Sequence, residues 1–393
     1  MKLKQFGLLT AASLALVACS NESDPVMGGE DNAPKKVVLK LEGISQGTKS
    51  TDANTSSKTM TVSDIAVILY DANGNIDKCE KITVSEEPSS DWKTITGTGK
   101  TYEDVDPNVD RVMVIGNTSS IAEFDTKFAE GKAISTVNSL EIDLKSQNQL
   151  GTTDATTKGN LTLFDDQLLK NIGNNDDGVQ IYFAELAIKP LISRLEVKNI
   201  KCTFRPDDKP NTGISSFTVL GIGLVDYYNQ LTLGTQAVVD ESIMEAKTTK
   251  NADGKILPPS FSEVVPEGSY IFCKQSDPDT NWTWAFDNIS SDNTLSYTGS
   301  GESQTATINK TFAYNFFPST SMANVRLYLK SNNDDKFVVT ANFGQTPERG
   351  NIYQFKYAFD ETVPGSWDKD QKVVLVKVTV TPWTITPVTP DFQ

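Results

Sequence analysis

Apolar residues along this chain recur with a period of two, in short runs bounded by turn-forming residues, and almost never with the longer period of a helix. Ile65, Val67 and Leu69 alternate with Ala66, Ile68 and Tyr70, and Leu140, Ile142 and Leu144 alternate with polar neighbours. Such alternation places successive side chains on opposite faces of a strand. Val112 to Ile115 is a continuous apolar run between Arg111 and Gly116, as expected of a central strand. Tyr182–Ile188, Leu191–Ile200, Phe217–Leu220, Ser269–Cys273, Thr305–Thr311, Val325–Leu329, Phe337–Phe343 and Ile352–Phe359 read as further strands. Asp71-Ala72-Asn73-Gly74 and Ser331 to Asp335 supply hairpin turns. One short helix is expected over Ile121–Glu130, with Ile121, Phe124 and Phe128 on one side. The fold class that follows is all-β, built of β-sandwiches with few short helices. At 393 residues and 38% hydrophobic content the chain can supply two cores. Pro190 is the expected boundary between them, and no internal sequence repeat relates the halves.

The N-terminus carries the most specific local signal. Lys2 and Lys4 form a basic start, Phe6 to Val17 an apolar run too short for a mature membrane span, and Leu16-Val17-Ala18-Cys19 a small-residue cleavage site. This resembles the bacterial lipobox and implies that Cys19 is lipidated; the alternative is a plain secretory signal that happens to end in cysteine. The acidic Ser20 to Asp24 looks like the surface-export tag of Bacteroidetes lipoproteins. Cys79, Cys202 and Cys273 lie far apart with no C-x-x-C, so at most one bridge and no zinc knuckle can form.

The two ends of the chain match each other in character. Val37, Leu39 and Leu41 alternate with Val38, Lys40 and Glu42 in a short strand, and the Gly/Ser/Thr-rich stretch from Gly43 to Lys58 then buries almost nothing. It reads as an exposed loop in which Lys49 or Lys58 offers a trypsin-like protease its basic residue. At the other end, the alternating Val373 to Val380 reads as a well-buried strand. From Thr381 onward Pro382, Pro387 and Pro390 exclude the chain from the middle of a sheet. That tail still carries Trp383, Ile385, Val388 and Phe392. Burying these four is worth about 6 to 12 kcal/mol gross, before ordering costs. A greasy, extended, proline-marked terminus fits an edge strand that seeks a groove, in this molecule or another.

Much chemistry is excluded. A formal charge of −15 and a pI near 4.6 argue against nucleic acid or an anionic membrane surface as partner. There is no histidine, which removes Ser-His-Asp and Cys-His systems and the commonest catalytic zinc ligand. Gly221-Ile222-Gly223 stops short of a dinucleotide loop, and there is no Walker motif. Asp165-Asp166, Asp176-Asp177 and Asp207-Asp208 are the available carboxylate pairs for glycoside hydrolysis, and all three read as solvated loop charges. Asn174 to Gly178 and Asn332 to Asp335 lack the alternating spacing of a calcium loop and read as turns. No catalytic residue, metal or cofactor is therefore assigned. Trp282 and Trp284 share one face of a strand, where they are either a sugar-stacking platform or a core stripe, the latter favoured.

Taken together these features resemble the fimbrillins, the major subunits of the type V pili of Bacteroidales. The resemblance rests on the lipobox at Leu16 to Cys19 and the strand Val37 to Leu41 followed by a basic residue in a Ser/Thr-rich loop. It rests also on Ser193-Arg194-Leu195-Glu196-Val197, on Arg349-Gly350-Asn351-Ile352-Tyr353, and on Val378-x-Val-x-Pro-Trp383. It spans nearly the whole chain, and only the lipobox is specific alone; the order and spacing of the set carry the likeness.

The resemblance implies two tandem transthyretin-like β-sandwiches. The parts it implies are a signal peptide over 1–18, a lipidated propeptide over 19–49, an N-terminal domain over 50–189 and a C-terminal domain over 190–393 that ends in a donor strand, 381–393. In such a pilin Val37, Leu39 and Leu41 form a plug strand. A trypsin-like surface protease cuts between Lys49 and Ser50, and the plug leaves with its lipid. Trp383, Ile385, Val388 and Phe392 of the next subunit then fill the groove. The implied partners are further copies of the chain and related pilins, the protease, the outer membrane through the lipid, and a host or bacterial surface receptor; the implied location is the outer membrane and then the fimbrium. These pilins are usually cut after arginine, whereas the first arginine here is Arg111, inside an expected strand. Either Lys49 serves, the cut lies elsewhere, or the subunit stays uncut and acts as an anchor. The competing reading is a tip or accessory adhesin, or a surface glycan-binding lipoprotein using Trp282 and Trp284.

Overall fold

The computed structural model describes residues 33–42, 59–144, 146–147, 161–205, 213–225, 227–239, 243–244, 271–274, 294–299, 301–319, 324–341, 343, 345–362, 375–382 and 384–387. The first half holds β1 (Lys35–Leu41), β2 (Thr59–Val62), β3 (Asp64–Asp71), β4 (Ile76–Thr83), β5 (Lys100–Val105), β6 (Val109–Gly116), β7 (Glu141–Asp143), β8 (Leu163–Leu168), β9 (Lys170–Asn174), β10 (Gln180–Leu186) and β11 (Lys189–Pro190). Its helices are α1 (Asp91–Thr96), α2 (Phe124–Lys127) and α3 (Ile134–Asn138). The second half holds β12 (Ser193–Phe204), β13 (Ser216–Val225), β14 (Tyr227–Tyr228), β15 (Gln230–Thr232), β16 (Ala237–Val238), β17 (Ile243–Met244), β18 (Ile271–Lys274) and β19 (Thr294–Ser296). It continues through β20 (Gln304–Phe316), β21 (Asn324–Ser331), β22 (Lys336–Ala341), β23 (Asn351–Asp360), β24 (Leu375–Pro382) and β25 (Thr384–Pro387). The protein is all-β.

Two sheets make up the body of the first half, in the orders β5-β1-β10-β9 and β11-β8-β6-β3-β4. Two more make up the second half, β20-β12-β23-β24 and β18-β13-β21-β22, with β19 also paired to β13. Sequence shows no repeat, yet the topology repeats. In each half the leading strand sits inside a sheet, antiparallel to one neighbour and parallel to the other: β1 between β5 and β10, β12 between β20 and β23.

Local chemistry explains much of this. In the β3–β4 hairpin Asp71 N–H donates to the Asn75 carbonyl at 3.1 Å and Gly74 N–H to the Asp71 carbonyl at 2.9 Å. Gly74 takes φ +84°, the left-handed turn that Asn-Gly favours. Val112 to Ile115 are buried in β6, the middle strand of its sheet. Burial in β3 is continuous from Asp64 to Tyr70 rather than alternating, and Phe124, Ile134 and Val137 from the small helices join the same apolar cluster. The helix expected over Ile121–Glu130 contracts to the single turn of α2, because Glu123 has a left-handed φ of +60° at its start. In the second half Phe217 packs edge-on against Phe337 and Phe359, and Phe343 edge-on against Tyr353 and Phe355.

The passage between the halves is tied from both sides. Pro190 pairs with Leu163 in the first half, and three residues later Ser193 begins β12 in the second. β7, which carries the alternation of Leu140, Ile142 and Leu144, pairs with β15 of the second half. Gly234 N–H donates to the Asn138 carbonyl at 3.0 Å, and a Cβ on Gly234 would meet the Asn138 side chain at 2.3 Å, so only glycine fits there.

Candidate functional site

The candidate site is the slot that β1 occupies. Val37, Leu39 and Leu41 are fully buried on one face, while Lys36, Val38 and Lys40 are half-buried on the other. Opposite them in parallel register stand Tyr182, Ala184 and Leu186 of β10, the last two buried. β5 closes the other side antiparallel, with Val37 opposite Tyr102 and Leu39 opposite Lys100. The ladder continues past the strand, since Glu42 N–H donates to the Leu186 carbonyl at 2.8 Å. Helix α1 packs on β1 and buries Trp92 and Ile95, its start capped by the Ser90 hydroxyl, which accepts from Lys93 N–H at 3.3 Å. Gly99 turns with φ +101°, where a Cβ would come within 3.0 Å of Val38 Cγ1, so the chain can close tightly over β1 before β5 starts.

Charge laces the outer face. Lys36 pairs with Glu103 at 3.0 Å, and Lys40 with Glu42 at 3.3 Å and Glu185 at 3.9 Å. These exposed pairs are worth ~0–1 kcal/mol each, so apolar burial dominates the holding of β1. At the start of the strand Lys35 is only 3% exposed. Its ammonium donates to the Pro107 carbonyl at 3.0 Å and to the Val109 carbonyl, and lies 4.1 Å from the Tyr182 ring centroid. Burial pulls its pKa down, against the nearby charges of Asp110, Asp106 and Asp77. Sequence reasoning passed over Lys35, although it falls on the same two-residue period as Val37, Leu39 and Leu41.

The tail is split between two places. β24 pairs antiparallel with β23, Thr381 opposite Ile352 and Pro382 opposite Asn351, and among the described residues forms the edge of its sheet. Thr381 and Pro382 thus complete β24 rather than opening the donor segment expected from Thr381 onward, and at an edge the proline has no ladder bond to donate. β25 lies parallel to β2 of the same chain, with Ile385 opposite Met60 and Pro387 opposite Val62. The structure therefore keeps Ile385 away from the β1 sheet. Cys19, Lys49, Ser50, Trp383, Val388 and Phe392 lie outside the described residues, as do Trp282, Trp284 and the Asp207-Asp208 pair.

Asp165 and Asp166 are not solvated loop charges. Both sit in β8. Asp165 is 6% exposed and accepts from Ala187 N–H at 2.8 Å and from Gln167 Nε2 at 3.0 Å, which anchors the link after β10. Asp166 accepts from the Tyr70 hydroxyl at 2.9 Å and pairs with Arg111 at 3.1 Å. Asp176 and Asp177 do lie in an exposed turn, with Asn175 Oδ1 accepting from Asp177 N–H and Val179 N–H. Among the described residues no group of His, Cys, Asp or Glu is placed to hold a metal ion, and Cys79 and Cys202 are free thiols.

No family model matches the sequence, and no curated protein matches it. The structure is similar to a candidate cell-adhesion protein from Bacteroides eggerthii, with 14% identity, a TM-score of 0.46 and coverage of 91% of this chain and 98% of that one. A candidate cell-adhesion protein from Parabacteroides distasonis is similar at 14% identity and TM-score 0.46, covering 92% and 100%. The tip fimbrial protein Mfa3 from Porphyromonas gingivalis, solved with a C-terminal truncation, is similar at 10% identity and TM-score 0.39, covering 89% and 99%.

Proposed function

We propose that the chain is a structural pilin subunit, exported as a lipoprotein through Cys19, divided into two domains at 189/190, and assembled into fimbriae used for adhesion. A cut after Lys49 releases residues 35–41, and the segment from Trp383 onward of a neighbouring subunit takes their place. The observation that supports this reading is the position of β1. It is the first described strand of the chain, yet it lies between two partners in the interior of a sheet. Its covalent link to the strands that follow is residues 43–58.

Burial of Val37, Leu39 and Leu41 is worth about 5 to 9 kcal/mol gross. Loss of the strand exposes Ala184 and Leu186 together with the unpaired ladder groups of β5 and β10, and such an edge recruits another strand. The topologically matching strand β12 has no such freedom, because β11 holds its start to β8. A contact in which the tail of one copy fills the slot of the next is heterologous and does not close, so it propagates a filament. The test compares the full chain with the same chain cut by trypsin within residues 43–58, by size-exclusion chromatography and electron microscopy. Only the cut form is expected to polymerise; equal assembly by both overturns the reading.

A further inference from the structure

Lys35 occupies a place built for a cation. The Pro107 and Val109 carbonyls both point at its ammonium, and the Tyr182 ring face covers it. Asp110, Asp106 and Asp77 surround it with negative charge, and Asp106 is held in position as its N–H donates to the Asp77 carboxylate at 3.0 Å. Asp110 Oδ1 is buried there without a hydrogen-bond partner. An ammonium is tolerated away from water only when carbonyls, ring faces or carboxylates replace its hydration. The reverse also holds: emptied of its cation, this corner keeps inward carbonyls and a buried carboxylate oxygen that an apolar strand cannot satisfy.

We infer that this end of the slot is a seat for an alkylammonium, and that the strand which best replaces β1 is a lysine-bearing strand of a related partner subunit. The inference deepens the exchange reading above and rests on it. The preferred occupant repeats the pattern of β1, a lysine followed at alternate positions by three buried aliphatic residues, as in Lys35-x-Val37-x-Leu39-x-Leu41. The chain's own segment Thr381 to Gln393 contains no lysine or arginine, and its one charged side chain is Asp391. The tail of a second copy can offer the apolar residues but not the charge. The seat thus makes contact between like copies the weaker choice and contact with a lysine-bearing relative the stronger one.

The experiment uses the full chain nicked by trypsin within residues 43–58, with the protease then inhibited. Four fluorescent peptides are offered, and binding is read by anisotropy. They are the β1 sequence 34–42, the same with Lys35→Met, the same with Lys36→Met, and the tail sequence 381–393. The expected result is binding of the native peptide, a loss of about tenfold or more for Lys35→Met, and a change within about twofold for the outward-facing Lys36→Met. The tail peptide is expected to bind more weakly than the native one. Equal binding of native and Lys35→Met peptides overturns the seat while leaving strand exchange intact. Tail binding as tight as native overturns the choice of partner. Failure of every peptide, the native one included, overturns strand exchange and this inference with it.

Discussion

Ile385 stands opposite Met60 in a parallel pairing, so the last described strand of the chain is held by the first strand after residues 43–58. The pairing is short, four residues on each side, and separate from the two large sheets of each half. β24 ends at Pro382, before this contact begins. Deletion of residues 383–393 is therefore expected to leave a folded monomer with its melting temperature lowered by only a few degrees, on the order of 1 kcal/mol, and to abolish polymerisation of the cut form. Circular dichroism and size-exclusion chromatography check the two parts separately.

Leu39 is the best single handle on β1. It is fully buried, and truncating it to the β-carbon leaves a cavity under β1. Leu39→Ala is expected to cost about 2 to 5 kcal/mol, measured by urea unfolding, and to speed loss of the 35–41 segment after nicking. Val38→Ala, on the half-buried outer face, is expected to cost less than about 1 kcal/mol.

Glu196 is fully buried and pairs with Arg194 Nε at 3.1 Å, while its second carboxylate oxygen accepts from Gln354 Nε2 at 2.8 Å. The Gln354 bond joins β12 to the parallel strand β23. Burial pulls the Arg194 guanidinium down to about 10, against the attraction of Glu196. Glu196→Leu alone removes the buried carboxylate 3.1 Å from the Arg194 guanidinium and is expected to cost about 3 to 5 kcal/mol. The double variant Arg194→Met with Glu196→Leu is expected to recover most of that loss in the same unfolding assay.

Tyr70 reports on the sheet face that carries Arg111 and Asp166. Its hydroxyl donates to Asp166 Oδ2 at 2.9 Å and accepts from Arg111 Nε at 2.8 Å. Burial first, and then the Asp166 charge, push the phenol up to about 12. Because the folded-state value is raised above the unfolded value of about 10, the stability it carries is fully present below pH ~10 and is lost as the pH rises toward ~12. Ultraviolet absorbance titration of the phenols is expected to lose one late-titrating step near pH 12 in Tyr70→Phe. At neutral pH that variant is expected to cost about 1 kcal/mol.

Local signals were readable from the residues themselves. Asn73-Gly74 dictates its hairpin because few other residues adopt that backbone, and Val112 to Ile115 could be little else than an inner strand. What depends on distant partners was not readable. Nothing around Val37 says that it will pair in parallel with Tyr182, since that register is fixed by which faces meet when the sheets close. Asp165 carries the residue type of a solvated turn, and only the fold brings Ala187 N–H to it. Lys35 was legible in principle: a lysine in phase with three buried aliphatics must either break the period or find a seat, and it finds one.

The account stands on whether β1 leaves before subunits join. Mass spectrometry of the assembled protein, taken from the cell surface and digested with a protease other than trypsin, reads this directly. The predicted result is a subunit that begins at Ser50 and lacks the peptide spanning Lys35 to Leu41. Assembled subunits that retain Lys35 to Leu41 in full amount would contradict it.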